Sequence, residues 1–171
     1  IKFLISLGMQ RIKVPSGEIT NYPYLRYVAK QNLPIILSTG MSNLKEIQNA
    51  LNVIKKINQD IDISILHCTS LYPASMKTLN LSALETIKKE FNLKIGYSDH
   101  SLGGSAALTA IGLGARIIEK HFTLNKNFLG PDHKASLTSE ELSSFIHNIR
   151  NIEIALGSHI KKPNKKELST L

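Results

Sequence analysis

Two histidines, His100 and His121, stand at the ends of two consecutive strand-like runs, "KIGYSDH" and "ARIIEKHFT". Neighbouring strands of a sheet lie about 4.8 Å apart, so imidazoles at matching strand ends can share one divalent metal ion. The residue before the first imidazole, Asp99, could orient one of the two imidazoles from behind the metal site. The alternative is that each histidine is a partly buried residue bonded to a loop backbone, and for two matching positions we weigh both interpretations equally.

A second group of residues suits an anionic substrate. In "KVPSGEITN", Lys13 and Ser16 could hold an anionic group, and Glu18 could act as a general base. The same residue types are ordinary for a turn followed by a helix cap. Further along, Ser38 precedes a predicted helix N-terminus, where backbone N–H groups attract phosphate or carboxylate. A simple helix cap explains that run as well, and the two interpretations are compatible.

Two polar loops follow strand-like runs and could contact a hydroxylated substrate. "HCTSLYP" places Ser70 and Tyr72 after the third run, and "GPDHKASL" places Asp132 after the fifth. Loops at strand ends carry binding residues more often than the elements that they connect. A solvated surface turn is the alternative interpretation of the second loop.

Strand-like runs alternate five times with helical patterns, which predicts a parallel sheet with helices outside. The runs are apolar throughout, as expected for strands that are covered on both faces. Polar residues follow each run at the sheet edge where both βα-barrels and open doubly wound sheets build their active sites. The runs are residues 11–16, 34–40, 62–70, 94–100 and 115–123.

Helical patterns separate the strand-like runs. Apolar residues recur with a 3.6-residue period from position 44 onward, and Asn43 with Glu46 forms a capping box before them. The last helix is predicted to begin after Thr138, with Glu141 completing a second capping box, and to end near residue 156. The run "GGSAALTAIGLGA" predicts a thin helix that packs close to the sheet.

Composition and charge limit the classes of function that the chain could have. The 171 residues carry a net charge of +8, but four lysines lie in the tail "KKPNKKE". Aromatic residues are not interleaved with basic ones, so we do not expect nucleic-acid binding. The longest weakly polar run is too short to span a bilayer, and no signal peptide is recognisable. A single cysteine, Cys68, cannot form an internal disulfide, which favours a cytoplasmic location and a small buried thiol.

Taken in order, these motifs resemble one family, the sialic acid synthases and their bacterial relatives that make legionaminic and similar nonulosonic acids. The most specific motifs are "IGYSDH", "EKHFT" and "GPDHKASL". The resemblance implies a TIM barrel followed by a small antifreeze-like domain. Because five βα units are visible, we expect an α/β fold that forms part of a (β/α)₈ barrel whose N-terminal strands are absent. Residues 1–160 would then be an incomplete barrel domain, and residues 161–171 a basic linker toward an absent antifreeze-like domain.

The resemblance also implies a reaction and roles for the site residues. In this family phosphoenolpyruvate condenses with an N-acetylated mannosamine-type aldehyde, and phosphate is released. Lys13 and Glu18 match catalytic positions, whereas His100 and His121 match two ligands of a divalent metal, with Mn²⁺ expected first and Mg²⁺ or Co²⁺ as alternatives. Further residues match substrate-binding positions, namely Ser16 and Ser38 for phosphoenolpyruvate, Ser70 where many members have Asn, and Tyr72 and Asp132 for the amino sugar.

Partners and alternatives follow from the same resemblance. It implies a homodimer of the full-length protein, with phosphoenolpyruvate and an amino sugar as small-molecule partners, and neither nucleic acid nor membrane. A diacetylated sugar, as in legionaminic acid synthesis, and a role in spore-coat polysaccharide synthesis stay open as alternatives. From a different class, the chain could be a non-catalytic truncated fragment, and we expect this piece to be inactive by itself.

Overall fold

Five parallel strands form the sheet that carries the site. The computed structural model describes residues 1–169 of the chain, and each strand lies within one of the five predicted runs. The strands are β1 (Ile12–Val14), β2 (Ile35–Ser38), β3 (Ile63–Cys68), β4 (Lys94–Asp99) and β5 (Ile117–Lys120).

Seven α-helices lie within the described residues 1–169. They are α1 (Lys2–Ser6), α2 (Tyr22–Ala29), α3 (Leu44–Ile57), α4 (Ala83–Phe91), α5 (Ser105–Gly112), α6 (Ser139–Leu156) and α7 (Lys165–Leu168). Helices α2 to α6 each follow one strand, so strand and helix alternate five times, as predicted. Short 3₁₀ turns cover Ser16–Glu18, Met76–Thr78 and His133–Ala135.

Both predicted capping boxes form. The Asn43 side chain accepts from the Glu46 backbone N–H at 3.0 Å, and the Glu46 carboxylate accepts from the Asn43 N–H at 2.8 Å. Thr138 and Glu141 make the same reciprocal pair at the start of α6. Each box satisfies two backbone donors that a helix otherwise leaves unpaired at its N-terminus. The helices that follow β2 and β5 therefore begin where the sequence predicts.

The order of the strands distinguishes between the two candidate architectures. The strands follow one another across the sheet in chain order, and all four neighbouring pairs are parallel. An open doubly wound sheet reverses its order at a switch point, whereas a βα-barrel does not. The sheet also curves strongly, because Lys13 of β1 reaches Glu119 of β5 with 2.9 Å between Nζ and Oε1. The fold is therefore an α/β partial TIM barrel, as expected.

Side chains alternate between the two faces of the sheet. The outer face packs against the helices and supplies much of the main core, including Val14, Leu37, Ile65, Ile95 and Tyr97. Helix α5 contributes the small buried residues Ala106, Ala107 and Ala110. They let the helix approach the sheet closely, as predicted. Before α5, a Cβ at Gly104 would come within 2.7 Å of the Phe145 ring, so α6 also packs tightly here.

The segment after α6 was predicted as a basic linker over residues 161–171. Its last two residues lie outside the described part of the chain. Between residues 161 and 169 the segment contains α7, where Asn164 and Glu167 form a third capping box. The division into a barrel domain and a linker toward another domain stays a prediction. Among the helices of residues 1–169, none combines the length and apolar character needed to cross a bilayer.

Candidate active site

The polar side chains at the carboxyl ends of the strands converge on one cavity of about 470 Å³. Its polar lining consists of a lysine, an acid, two imidazoles, a phenol and several hydroxyl groups: Lys13, Ser16, Ser38, Ser70, Tyr72, Ser98, His100, Glu119 and His121. The fold thus brings together most of the predicted site residues. The exceptions are Glu18 and Asp132, which do not line this cavity.

A neighbouring cavity of about 520 Å³ opens between the N-termini of α3 and α4 and shares Met41 and Cys68 with the first one. Its lining among the described residues contains hydroxyl and amide groups and His67, but no acid and no lysine. The His67 ring is bonded to the Leu79 carbonyl at 2.8 Å. The charged groups that could perform catalysis therefore lie in the first cavity.

The two histidines at the strand ends face each other, as predicted. The ring centres of His100 and His121 lie 5.5 Å apart, with an angle of 87° between the ring planes. His100 Nδ1 lies 2.7 Å from the Thr69 carbonyl oxygen, so Nδ1 carries the proton, and the unprotonated Nε2 lies 3.3 Å from the Ser98 hydroxyl. Burial lowers the pKa of His100, although the Thr69 carbonyl partly opposes this shift. The neutral imidazole, which is the form that binds metals, is therefore favoured.

Tyr72 covers the histidine pair from the loop after β3. Its ring centre lies 4.2 Å from that of His100 and 5.7 Å from that of His121. The tyrosine side chain itself is 55% exposed. The phenol ring is therefore both accessible to solvent and in contact with the histidine pair.

The chemistry of the donors fits a metal site with two protein ligands. His100 and His121 would supply two imidazole ligands, and imidazole nitrogen is a common ligand of divalent metals. Within residues 1–169, no cluster of three or more His, Cys, Asp or Glu side chains could hold a metal ion. Asp132 Oδ2 lies 3.7 Å from His121 Nδ1, beside the pair but too far for a hydrogen bond.

Asp99 makes no direct hydrogen bond to either imidazole, contrary to the simplest form of the prediction. Its carboxylate accepts from Lys120 Nζ at 2.9 Å and from the backbone N–H and hydroxyl of Ser101 at 2.9 and 2.6 Å. Consecutive residues of a strand point to opposite faces. The side chain of Asp99 therefore lies on the outer face of β4, away from the inward-facing imidazole of His100.

The side chains of Ser16, Cys68 and Ser70 surround Gly40 in the corner predicted to bind an anion. The Gly40 backbone N–H donates to Ser16 Oγ at 2.9 Å, and a Cβ at this position would collide with the Ser16 and Ser70 side chains. Cys68, buried as predicted, lies 3.1 Å from Ser16 Oγ. Ser38 Oγ is buried and has no hydrogen-bond partner among the described residues. The corner therefore contains an unused hydroxyl group beside a closely packed glycine.

Glu119 is a site residue that the sequence analysis missed. Its Oε1 accepts from Lys13 Nζ at 2.9 Å and from the Ser98 hydroxyl at 2.6 Å. Burial alone would raise the pKa of Glu119, but the hydrogen bonds from Ser98 and Lys13 outweigh it and lower the pKa. The side chain is therefore a carboxylate at neutral pH. A signal was present in the sequence, because Glu119 and Ser98 each precede a histidine by two residues and so share its face.

Glu18 lies on the 3₁₀ turn after β1, and its Oε2 accepts from Asn21 Nδ2 at 2.6 Å. This bond joins it to the residue that caps α2. The acid that lies inside the cavity is Glu119. The catalytic role predicted for Glu18 stays a prediction, and the geometry provides a second candidate for it.

Comparison with known proteins identifies the family. A model of the NeuB family matches residues 1–161. The chain belongs to the NeuB family. NeuB-type relatives include the N,N'-diacetyllegionaminic acid synthases of Legionella pneumophila and Campylobacter jejuni, which are 50% and 52% identical to it over 98% of this chain. The chain covers 48% and 50% of these two relatives, and so spans about half of their length.

A solved structure has the same fold as this NeuB-family chain. It is the N-acetylneuraminic acid synthetase of Leptospira borgpetersenii in complex with citrate, with a TM-score of 0.91 and 34% identity. The match covers 99% of this chain and 59% of that one. The strand-end cavity therefore lies within the part of this chain that superposes on the Leptospira structure.

Proposed function

We propose that this chain supplies the phosphoenolpyruvate-binding and metal-binding half of a nonulosonic acid synthase. In the reaction, carbon 3 of phosphoenolpyruvate forms a bond to the aldehyde carbon of an N-acylated amino sugar. Water adds to carbon 2, and the carbon–oxygen bond to phosphate then breaks. The observation that carries the proposal is that Lys13, the free Ser38 hydroxyl and the two facing imidazoles converge on one cavity.

Phosphoenolpyruvate carries a phosphate and a carboxylate, and the cavity offers a cation and hydroxyl donors to match them. Lys13 Nζ lines the cavity and provides a charge-assisted donor for an anionic oxygen. Ser38 offers an unpartnered hydroxyl, and Ser16 and Ser70 lie close to Gly40 on the same side. These groups would hold the phosphate and carboxylate while the enol carbon faces the second substrate.

The aldehyde would lie against the imidazoles. His100 and His121 would hold Mn²⁺, with Mg²⁺ or Co²⁺ as alternatives, and the bound ion supplies Lewis-acid polarisation of the aldehyde oxygen. Tyr72 and Asp132, beside the two rings, would contact the sugar. Glu119, ionised between Lys13 and Ser98, can stabilise positive charge at carbon 2 or accept the proton of the attacking water.

The identity of the sugar is a finer part of the proposal. Identity with the two N,N'-diacetyllegionaminic acid synthases is 50–52%, against 34% with the N-acetylneuraminic acid synthetase. This difference favours a di-N-acetylated sugar over a mono-N-acetylated one. We also propose that the whole protein acts in the cytoplasm and that it forms a homodimer. Size-exclusion chromatography with light scattering would test the homodimer.

The reaction is tested with the chain and with a chimera completed by the flanking segments of the Campylobacter jejuni relative. Each protein is mixed with Mn²⁺, phosphoenolpyruvate and either a mono- or a di-N-acetylated mannosamine-type aldehyde, and phosphate release is followed. Sugar-dependent release by the chimera, lost in its Lys13→Met variant, supports the proposal. Release that survives Lys13→Met, or a folded chimera that releases no phosphate with either sugar, contradicts it.

A further inference from the structure

A buried ion pair lies directly behind the two histidines, on the outer face of the sheet. Lys120 Nζ donates to Asp99 Oδ2 at 2.9 Å, and the two side chains are 5% and 0% exposed. The two residues are register partners in β4 and β5, and each is followed by one of the histidines. We propose that Asp99 and Lys120 are positioning residues that fix His121 relative to His100.

The pair is tied to the backbone on both sides of His100. Asp99 Oδ1 accepts from the backbone N–H and the hydroxyl of Ser101, and Lys120 Nζ also donates to the Ser101 carbonyl oxygen. Ser101 is itself 1% exposed. One ammonium group from β5 thus joins the residues that flank His100, while its own backbone leads directly into His121.

His121 depends on this link more than His100 does. Strand β5 lies at the edge of the sheet within the described residues, and all four of its residues are only partly buried. His100 has a separate anchor, the 2.7 Å hydrogen bond between Nδ1 and the Thr69 carbonyl. The His121 ring faces Asp132 at 3.7 Å, which is too long for a hydrogen bond. On the outer face the ion pair is therefore the side-chain tie between β4 and β5 behind the imidazoles, and the bond from Ser98 to Glu119 joins the same strands on the inner face.

The positioning role can be separated from a role in stability. A buried ion pair that is replaced by uncharged side chains of similar size often leaves stability unchanged or higher, because two charges no longer have to be desolvated. Removing one partner alone leaves a buried charge without its partner. The informative change is therefore the double replacement, which removes both charges together with the hydrogen bonds that Lys120 donates.

The test, which rests on the metal site of the proposed function, is a calorimetric titration of Mn²⁺ into the 171-residue chain. The double variant is Asp99→Asn with Lys120→Met. The matched control is Asp62→Asn with Lys94→Met, which removes an exposed pair at the opposite end of β4. We expect the double variant to keep its unfolding midpoint but to bind Mn²⁺ about tenfold or more weakly, as for other partners of metal ligands. The control keeps the parent affinity.

A double variant that folds and binds Mn²⁺ as tightly as the parent overturns the inference. If the double variant does not fold, Asp99→Glu replaces it with the same expectation, because the charges stay and the carboxylate moves by one methylene. If the parent binds no Mn²⁺, the metal assignment fails. The positioning role is then tested by comparing the imidazole NMR signals of the metal-free parent, double variant and control. A shift of the His121 ring signals in the double variant alone supports the positioning role, and unchanged signals contradict it.

Discussion

Lys13 and Glu119 meet at 2.9 Å although 106 residues separate them. One belongs to the first strand of the sheet and the other to the last, so their contact closes the inner face of the partial barrel around the cavity. It also places a cation and an ionised acid side by side.

Lys13→Met should weaken phosphoenolpyruvate binding. The ammonium is the lysine that lines the cavity, and a hydrogen bond to a charged group contributes about 1.5–3 kcal/mol, or roughly 10- to 150-fold in affinity. Titration of phosphoenolpyruvate into the folded variant measures the change. Lys134→Met, which alters an exposed lysine of the loop after β5, serves as the control. Equal losses in both variants would point to a general charge effect.

Ser38→Ala should separate ligand binding from stability. The hydroxyl is buried and has no partner among the described residues, so its removal should leave the free energy of unfolding unchanged or raise it. Phosphoenolpyruvate affinity should fall by about 2- to 12-fold, the value of one neutral hydrogen bond. Thr39→Val is the contrasting variant, because the Thr39 hydroxyl donates to the Leu66 carbonyl and its loss should destabilise the fold. Urea unfolding and calorimetry measure the two quantities. An unchanged affinity in Ser38→Ala argues against the assigned role.

Gly40→Ala should disturb the anion-binding corner. The new methyl group would meet the side chains of Ser16, Cys68 and Ser70, and overpacking of this kind costs about 1–3 kcal/mol. Gly112→Ala, at the end of α5, has no atom within 4 Å of its new Cβ and should be neutral or stabilising. Urea unfolding measures the free energy of unfolding of both variants and of the parent. Equal stability would show that the serines move aside without cost.

His100 should make the metal-free protein less stable in mild acid. Unfolded histidine titrates near pH 6.5, and burial lowers the pKa of His100 in the folded state. Below about pH 6.5 the unfolded state therefore binds more protons, so the free energy of unfolding decreases as the pH falls. The charged or titratable groups that face this ring include His121 and Glu119. Urea titrations of the parent and of His100→Gln between about pH 5 and 7.5 measure how much His100 contributes to the pH dependence of the free energy of unfolding. If the free energy of unfolding depends on pH in the same way in both proteins, His100 is not the cause of that dependence.

The fold and the core of the site could be predicted because both depend on patterns along the chain. Five apolar runs with polar ends gave the parallel sheet, and they placed His100 and His121 at neighbouring strand ends. Errors arose where the direction of a side chain decides its partner. Asp99 lies next to His100 in the chain but on the opposite face, and Glu119 shares the inner face without adjoining any predicted ligand.

Contacts between distant segments could not be predicted from one sequence. The pairing of Glu119 with Lys13 depends on the curvature of the sheet, which brings β5 toward β1. The Glu18 carboxylate, by contrast, bonds Asn21 only three residues further along the chain, and Glu18 lies outside the cavity lining. Strand alternation, applied to each polar residue near a strand end, would have recovered Ser98 and Glu119.

Because side chains alternate along each strand, the residues that line the cavity and the residues that support the histidines lie on opposite faces of the sheet. Ser70 and Tyr72 line the cavity from a loop, whereas Asp99 and Lys120 are buried on the other face of the sheet and are not among its lining residues. A lineage can therefore exchange loop residues to accept a different sugar while the geometry behind the imidazoles is inherited unchanged. For protein engineering, libraries aimed at new substrates should vary the loop and leave the outer face of β4 and β5 intact.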